Sequence, residues 1–158
     1  MEKVLFTIDG LENLKKELKN LKKVERPAVI KAISIAREHG DLSENAEYHA
    51  AKEKQSFIEG RITELEDVLS RSEIIDLSKL NSKKVTFGTK VMVYDEELEV
   101  EISYSIVGPY ETDLEKKLIS VSSPLARALL GKEVESIVEV NTPRGLKVYE
   151  IIKIEVIK

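Results

Sequence analysis

The chain has 158 residues, carries 25 Lys and Arg against 29 Asp and Glu for a formal net charge of -4, and contains no cysteine. That length serves one compact domain or two small ones. The lack of cysteine excludes a disulfide framework and a thiolate metal site, and the slight acidity argues against wrapping nucleic acid by gross electrostatics.

The opening stretch MEKVLFTIDG mixes both charge signs without a long apolar run, and no later segment approaches membrane-spanning length. A cytoplasmic protein without a membrane partner is expected. Thr7 is placed to cap a helix whose seam runs through Leu11, Leu14, Leu18 and Leu21 and resumes at Ala28, Ala32 and Ile35. Spacings of three and four predict one long amphipathic helix, bent or locally broken at Pro27 and ending near Gly40. A second seam follows through Ala51, Ile58, Ile62, Leu65 and Leu69, with Phe57 and Val68 beside it. The intervening turn is short, so the helices are expected to pack as an antiparallel hairpin.

Charge supports the pairing. Residues 11–38 hold eight basic and four acidic side chains, whereas residues 44–73 hold eight acidic and four basic. Balances of +4 and -4 should attract. At the turn, His39-Gly40-Asp41-Leu42-Ser43-Glu44-Asn45 sets Asp41 and Glu44 at the exposed end of the hairpin. Asp41 with Glu44 forms a capping box, or Ser43 caps a helix beginning at Glu44. These carboxylates are hard oxygen donors suited to Mg²⁺ but too few for an autonomous site, so they read as completing a site on another molecule; plain helix capping is the competing reading. His39 and His49 do not make a metal pair. Gly60, inside the second seam, is expected where the first helix approaches closely.

Beyond the junction at residues 76–82 the pattern changes to strands at Lys84–Phe87, Lys90–Tyr94, Leu98–Val107, Lys117–Val121, Glu133–Val140 and Lys147–Val156. One short helix, Pro124–Leu130, has Ser123 as its cap and Gly131 as its stop, burying Leu125, Leu129 and Leu130. Val91, Val93, Ile102, Tyr104 and Ile106 read as core. The acids of this half are scattered in the manner of solvated faces, with no histidine or cysteine, so docking is expected there rather than catalysis. The fold class expected is α+β: a helical hairpin over residues 1–75 and a sheet domain over residues 80–158.

The run Arg37 to Glu53, REHGDLSENAEYHAAKE, the later EGRI with Leu65-Glu66, and ISVSSPLARALLGK at residues 119–132 resemble the bacterial Gre family of transcript cleavage and elongation factors, its GreA branch in particular. The resemblance covers essentially the whole chain. It implies an antiparallel coiled coil followed by an FKBP-like antiparallel or mixed sheet domain, without implying prolyl isomerase activity. It also implies a non-enzymatic, monomeric partner of bacterial RNA polymerase that docks at the rim of the secondary channel and inserts its coiled coil. There it stimulates Mg²⁺-dependent cleavage of backtracked nascent RNA. By resemblance Asp41 and Glu44 are the catalytic acids, holding Mg²⁺ shared with the polymerase active centre, with no cofactor of the chain's own. Arg37, Lys52 and Tyr48 are candidate contacts to RNA or polymerase, and Ser122, Ser123, Pro124 and Arg127 are candidate docking residues. Ser43 stands where some relatives carry a charged residue. The alternative is a channel-binding regulator that blocks or remodels polymerase without cleavage. A scaffold protein unconnected with polymerase is a third reading.

Overall fold

The computed structural model describes residues 2–41 and 45–158. In chain order it contains β1 (Val4–Phe6), α1 (Ile8–Asn20), a π-helical turn (Leu21–Glu25), α2 (Arg26–Arg37), α3 (Ala46–Ser70), β2 (Ser72–Ile74), β3 (Thr89–Asp95), β4 (Val100–Val107), β5 (Leu118–Ser120), α4 (Pro124–Leu129), β6 (Ile137–Thr142) and β7 (Gly145–Val156). The chain divides into two compact units: Leu11–Ser72 with the residues before Val4, and Val4–Gly10 with Glu73–Lys158.

The helical unit is an antiparallel hairpin of α1–α2 against α3. Thr7 caps α1 through its hydroxyl, which accepts from the Gly10 amide at 3.1 Å. Pro27 does not end the first arm. Lacking an amide donor and crowding the carbonyl four residues earlier, it is accommodated by the π turn just before it, where the Arg26 amide donates to the Leu21 carbonyl. The wider turn absorbs an extra residue and rotates everything beyond it. The buried residues past Pro27 are therefore Val29, Ile33 and Ala36, each one position later than the predicted Ala28, Ala32 and Ile35. Ile35 is left exposed. On α3 the buried face is Ile58, Ile62, Leu65 and Val68, while Leu69 is half-buried and Phe57 faces solvent.

Ion pairs link the arms in both charge directions. Lys22 meets Glu66 at 3.2 Å and Arg26 forks onto Glu59 at 2.8 and 2.7 Å, as the charge balance predicts. Glu17 receives a second fork from Arg61 at 2.9 and 3.1 Å, and Glu25 meets Lys54 at 3.8 Å, in the opposite sense. The hydrogen bonds of the first fork raise the Arg26 pKa and lower that of Glu59. Such partly solvated pairs fix register more than they add stability.

Gly60 corrects an expectation. An added Cβ there would meet nothing within 4 Å, so no close helix approach explains it. The position is exposed mid-helix backbone, where alanine forfeits less conformational entropy than glycine. Gly60→Ala should stabilise the chain by about 1 kcal/mol in chemical denaturation.

In the second unit the main sheet has five strands in the order β5-β4-β3-β7-β6, antiparallel except for the parallel β4–β5 pair. With the helical hairpin this makes the chain α+β, as expected. Thr89, Val91, Val93 and Asp95 alternate onto the buried face of β3 and meet a core of Ile106, Ala126, Leu129, Val138, Val140, Tyr149 and Ile151. Ser123 caps α4 by accepting from the Ala126 amide at 3.3 Å, and Gly131 ends it at φ 81°. Leu129 is fully buried; Leu125 and Leu130 are half-buried, as are Ile102 and Tyr104. The predicted strand Lys84–Phe87 is not one. Val85 and Phe87 are buried, but the Val85 backbone pairs with Gly131 and Lys132, and Thr89 closes a turn back onto Thr86 ahead of Gly88 at φ 88°.

Two acids of this unit depart from the solvated pattern. Asp95, 1% exposed, accepts from the Glu97 and Leu98 amides at 3.0 and 3.1 Å and from Lys147 Nζ at 2.9 Å. Glu111 accepts from the Thr7 amide at 3.1 Å and from the Thr7 hydroxyl. That bond, the β1–β2 pairing and the Ile75 amide on the Phe6 carbonyl at 2.9 Å explain why Val4–Gly10 groups with the sheet. Among the described residues no buried side-chain nitrogen or oxygen lacks a hydrogen-bond partner.

Candidate functional site

The turn of the hairpin is framed by the last residues of α2 and the first of α3. Arg37 ends α2, Gly40 takes φ 108°, and α3 begins at Ala46. The cap of α3 is Asn45, not Ser43 or Asp41. Asn45 has extended backbone angles, φ -86° and ψ 97°, and its side-chain oxygen accepts from the Tyr48 amide at 3.0 Å. Its amide nitrogen donates across to the Ala36 carbonyl at 2.6 Å. Asparagine is a favoured cap residue, but Tyr48 rather than Glu or Gln stands three residues on, so the capping-box signal is missing.

Further contacts join the same ends. The Arg37 guanidinium lies 5.9 Å from the centroid of the Tyr48 ring, a cation–π approach, and Tyr48 meets the His49 ring edge-on at 5.7 Å. His39 Nε2 lies 3.9 Å from Glu47. Arg37 and Tyr48, singled out separately as contact candidates, are thus packed on each other. Lys52 donates to Gln55 at 3.2 Å and lines, with Arg37, Ser34, Ile30 and Ile33, an open depression of roughly 260 Å³ along the hairpin.

Asp41 is exposed and borders a concavity of roughly 410 Å³ with His39, Asn45, Ala46 and Glu47. Glu44 lies outside the described residues. Among the described residues no group of three or more His, Cys, Asp or Glu is placed to hold a metal ion. The Asp41 carboxylate is a hard oxygen donor of the kind that Mg²⁺ takes as a ligand.

In the sheet unit, Ser122, Pro124 and Arg127 are exposed at the start of α4, and Ser122 Oγ lies 2.8 Å from Ser120 Oγ. Ser123 is half-buried and committed to its cap.

Family comparison covers both halves. A family described as "Transcription elongation factor, N-terminal" matches residues 4–74, and one described as "Transcription elongation factor, GreA/GreB, C-term" matches residues 80–156. A protein named Transcription elongation factor GreA from Caulobacter sp. (strain K31) is 60% identical over 155 residues, covering 98% of this chain and 99% of the relative. Its namesake from Rhodospirillum rubrum is 60% identical over 151 residues, 96% of each chain. Among solved structures, the GreA factor homolog 1 protein of Thermus thermophilus is 28% identical with a TM-score of 0.45, covering 98% of this chain and 99% of that one.

Proposed function

The chain belongs to the GreA/GreB family of transcription elongation factors, and from that membership we propose that it binds bacterial RNA polymerase and stimulates hydrolysis of backtracked nascent RNA. The hairpin enters the secondary channel, and its turn reaches the active centre. The observation that carries this reading is the exposed Asp41 carboxylate at the end of a hairpin whose longer helix, α3, has 25 residues. At about 1.5 Å per residue such a helix spans roughly 37 Å, enough to carry a side chain deep into another protein.

In this reading Asp41 and Glu44 hold Mg²⁺ jointly with polymerase. When bound, that ion supplies Lewis-acid stabilisation of the reacting phosphate and a more acidic water. The two carboxylates orient that water, so the chain promotes the hydrolysis that polymerase performs and is not itself an enzyme. Arg37 and Lys52, beside the turn, neutralise RNA phosphates without reading sequence, while Tyr48 supports Arg37 from beneath. The sheet unit docks at the channel rim through the exposed Ser122, Pro124 and Arg127. Work beside polymerase would place the chain in the cytoplasm; among the described residues no helix is long and apolar enough to cross a membrane.

A stalled, backtracked elongation complex incubated with Mg²⁺ and the full chain should release short RNA 3′ fragments faster than polymerase alone. Binding without such acceleration, joined to slower nucleotide addition, would replace this reading with that of a channel blocker.

A further inference from the structure

Resting on that reading, we infer that Asn45 is a positioning residue that staples the two ends of the turn and so holds Asp41 between them. Both ends of the carboxamide are engaged. Its oxygen takes the Tyr48 amide at 3.0 Å, one of the orphan donors at the start of α3, and its nitrogen gives to the Ala36 carbonyl at 2.6 Å. The two partners fix which end is oxygen, since an amide N–H requires an acceptor and a carbonyl requires a donor.

Ala36 is 2% exposed and sits in the last turn of α2, where carbonyls lack helical partners. It already accepts the His39 amide at 3.1 Å, and Asn45 adds a side-chain donor to it. The bond therefore joins a buried point of one arm to the cap residue of the other. Asp41 lies between the two residues that this bond joins.

A capping role alone would need only the oxygen. Serine and aspartate cap about as well as asparagine, but neither carries an amide donor. In full-length Asn45→Ser and Asn45→Asp the Tyr48 amide should keep its protection against hydrogen exchange, whereas the His39 amide should exchange several times faster. Stimulated RNA cleavage at saturating protein should fall about tenfold in both, because displacing a positioned group by a fraction of an ångström is costly. Wild-type exchange at His39 in both variants would overturn the staple, whatever the cleavage assay reads. Wild-type stimulation by both would overturn the positioning role. No stimulation by the unsubstituted chain would instead defeat the cleavage reading, and the exchange comparison would then decide the staple alone.

Discussion

Replacing Asp41 by asparagine and Glu44 by glutamine together should reduce stimulated RNA cleavage roughly a hundredfold while polymerase binding persists, the order lost when a group that fixes a reactive geometry is removed. The amides keep side-chain size and one acceptor oxygen. What they remove is negative charge, hence the strength of both as Mg²⁺ ligands. Capping does not confound the result, since α3 is capped by Asn45. Cleavage by each variant should be measured at limiting Mg²⁺ with binding saturated. Partial recovery at raised Mg²⁺ would assign the defect to metal retention, and near-normal cleavage by the double variant at limiting Mg²⁺ would contradict the shared-metal mechanism.

Asp95→Ala should destabilise the sheet unit by about 3 kcal/mol, seen as a lowered melting transition. The substitution strips the acceptor from the Glu97 and Leu98 amides and leaves the Lys147 ammonium, only 23% exposed, without its buried partner. Asp95→Asn retains an oxygen for the amides and should cost less. Burial pushes the Asp95 carboxyl up, but its bonds to Lys147 and to the Leu98 and Glu97 amides together outweigh this and hold its pKa below the ordinary value. Its contribution is therefore present above the unfolded carboxyl pKa of about 3.9 and lost as pH falls through the lower folded value. The hydrogen bond to Asp95 raises the Lys147 pKa, so that contribution is present below about 10.4 and lost as pH rises through the higher folded value. The gap in stability between the chain and Asp95→Asn should be broad across neutral pH and shrink in acid.

Seams, capping and strand alternation made the hairpin, the cap at Ser123 and most of the sheet legible from the sequence. What escaped has identifiable causes. A 3.6-residue period carried through Pro27 misses the residue inserted by the π turn, and so misnames the buried face from Val29 onward. Alternating Val85 and Phe87 report burial, yet their segment lacks a ladder partner and turns at Gly88. Asp95 lies in phase with Thr89, Val91 and Val93, a pattern that does announce a buried position; its lysine partner, 52 residues away, does not show in the chain order. At the turn, the acids were conspicuous and the residue joining the helix ends was not, because its donor bond reaches nine residues back.

The most direct measurement of whether this turn works at the polymerase active centre uses the chain's lack of cysteine. A single cysteine at His39, an exposed position within the turn, would carry a unique photocrosslinker in His39→Cys. In a backtracked elongation complex under conditions of accelerated cleavage, crosslinks should fall on the terminal nucleotides of the RNA 3′ segment and on the polymerase residues around its catalytic metal. Crosslinks confined to the outer surface of polymerase, with the chain bound at saturation, would contradict the account.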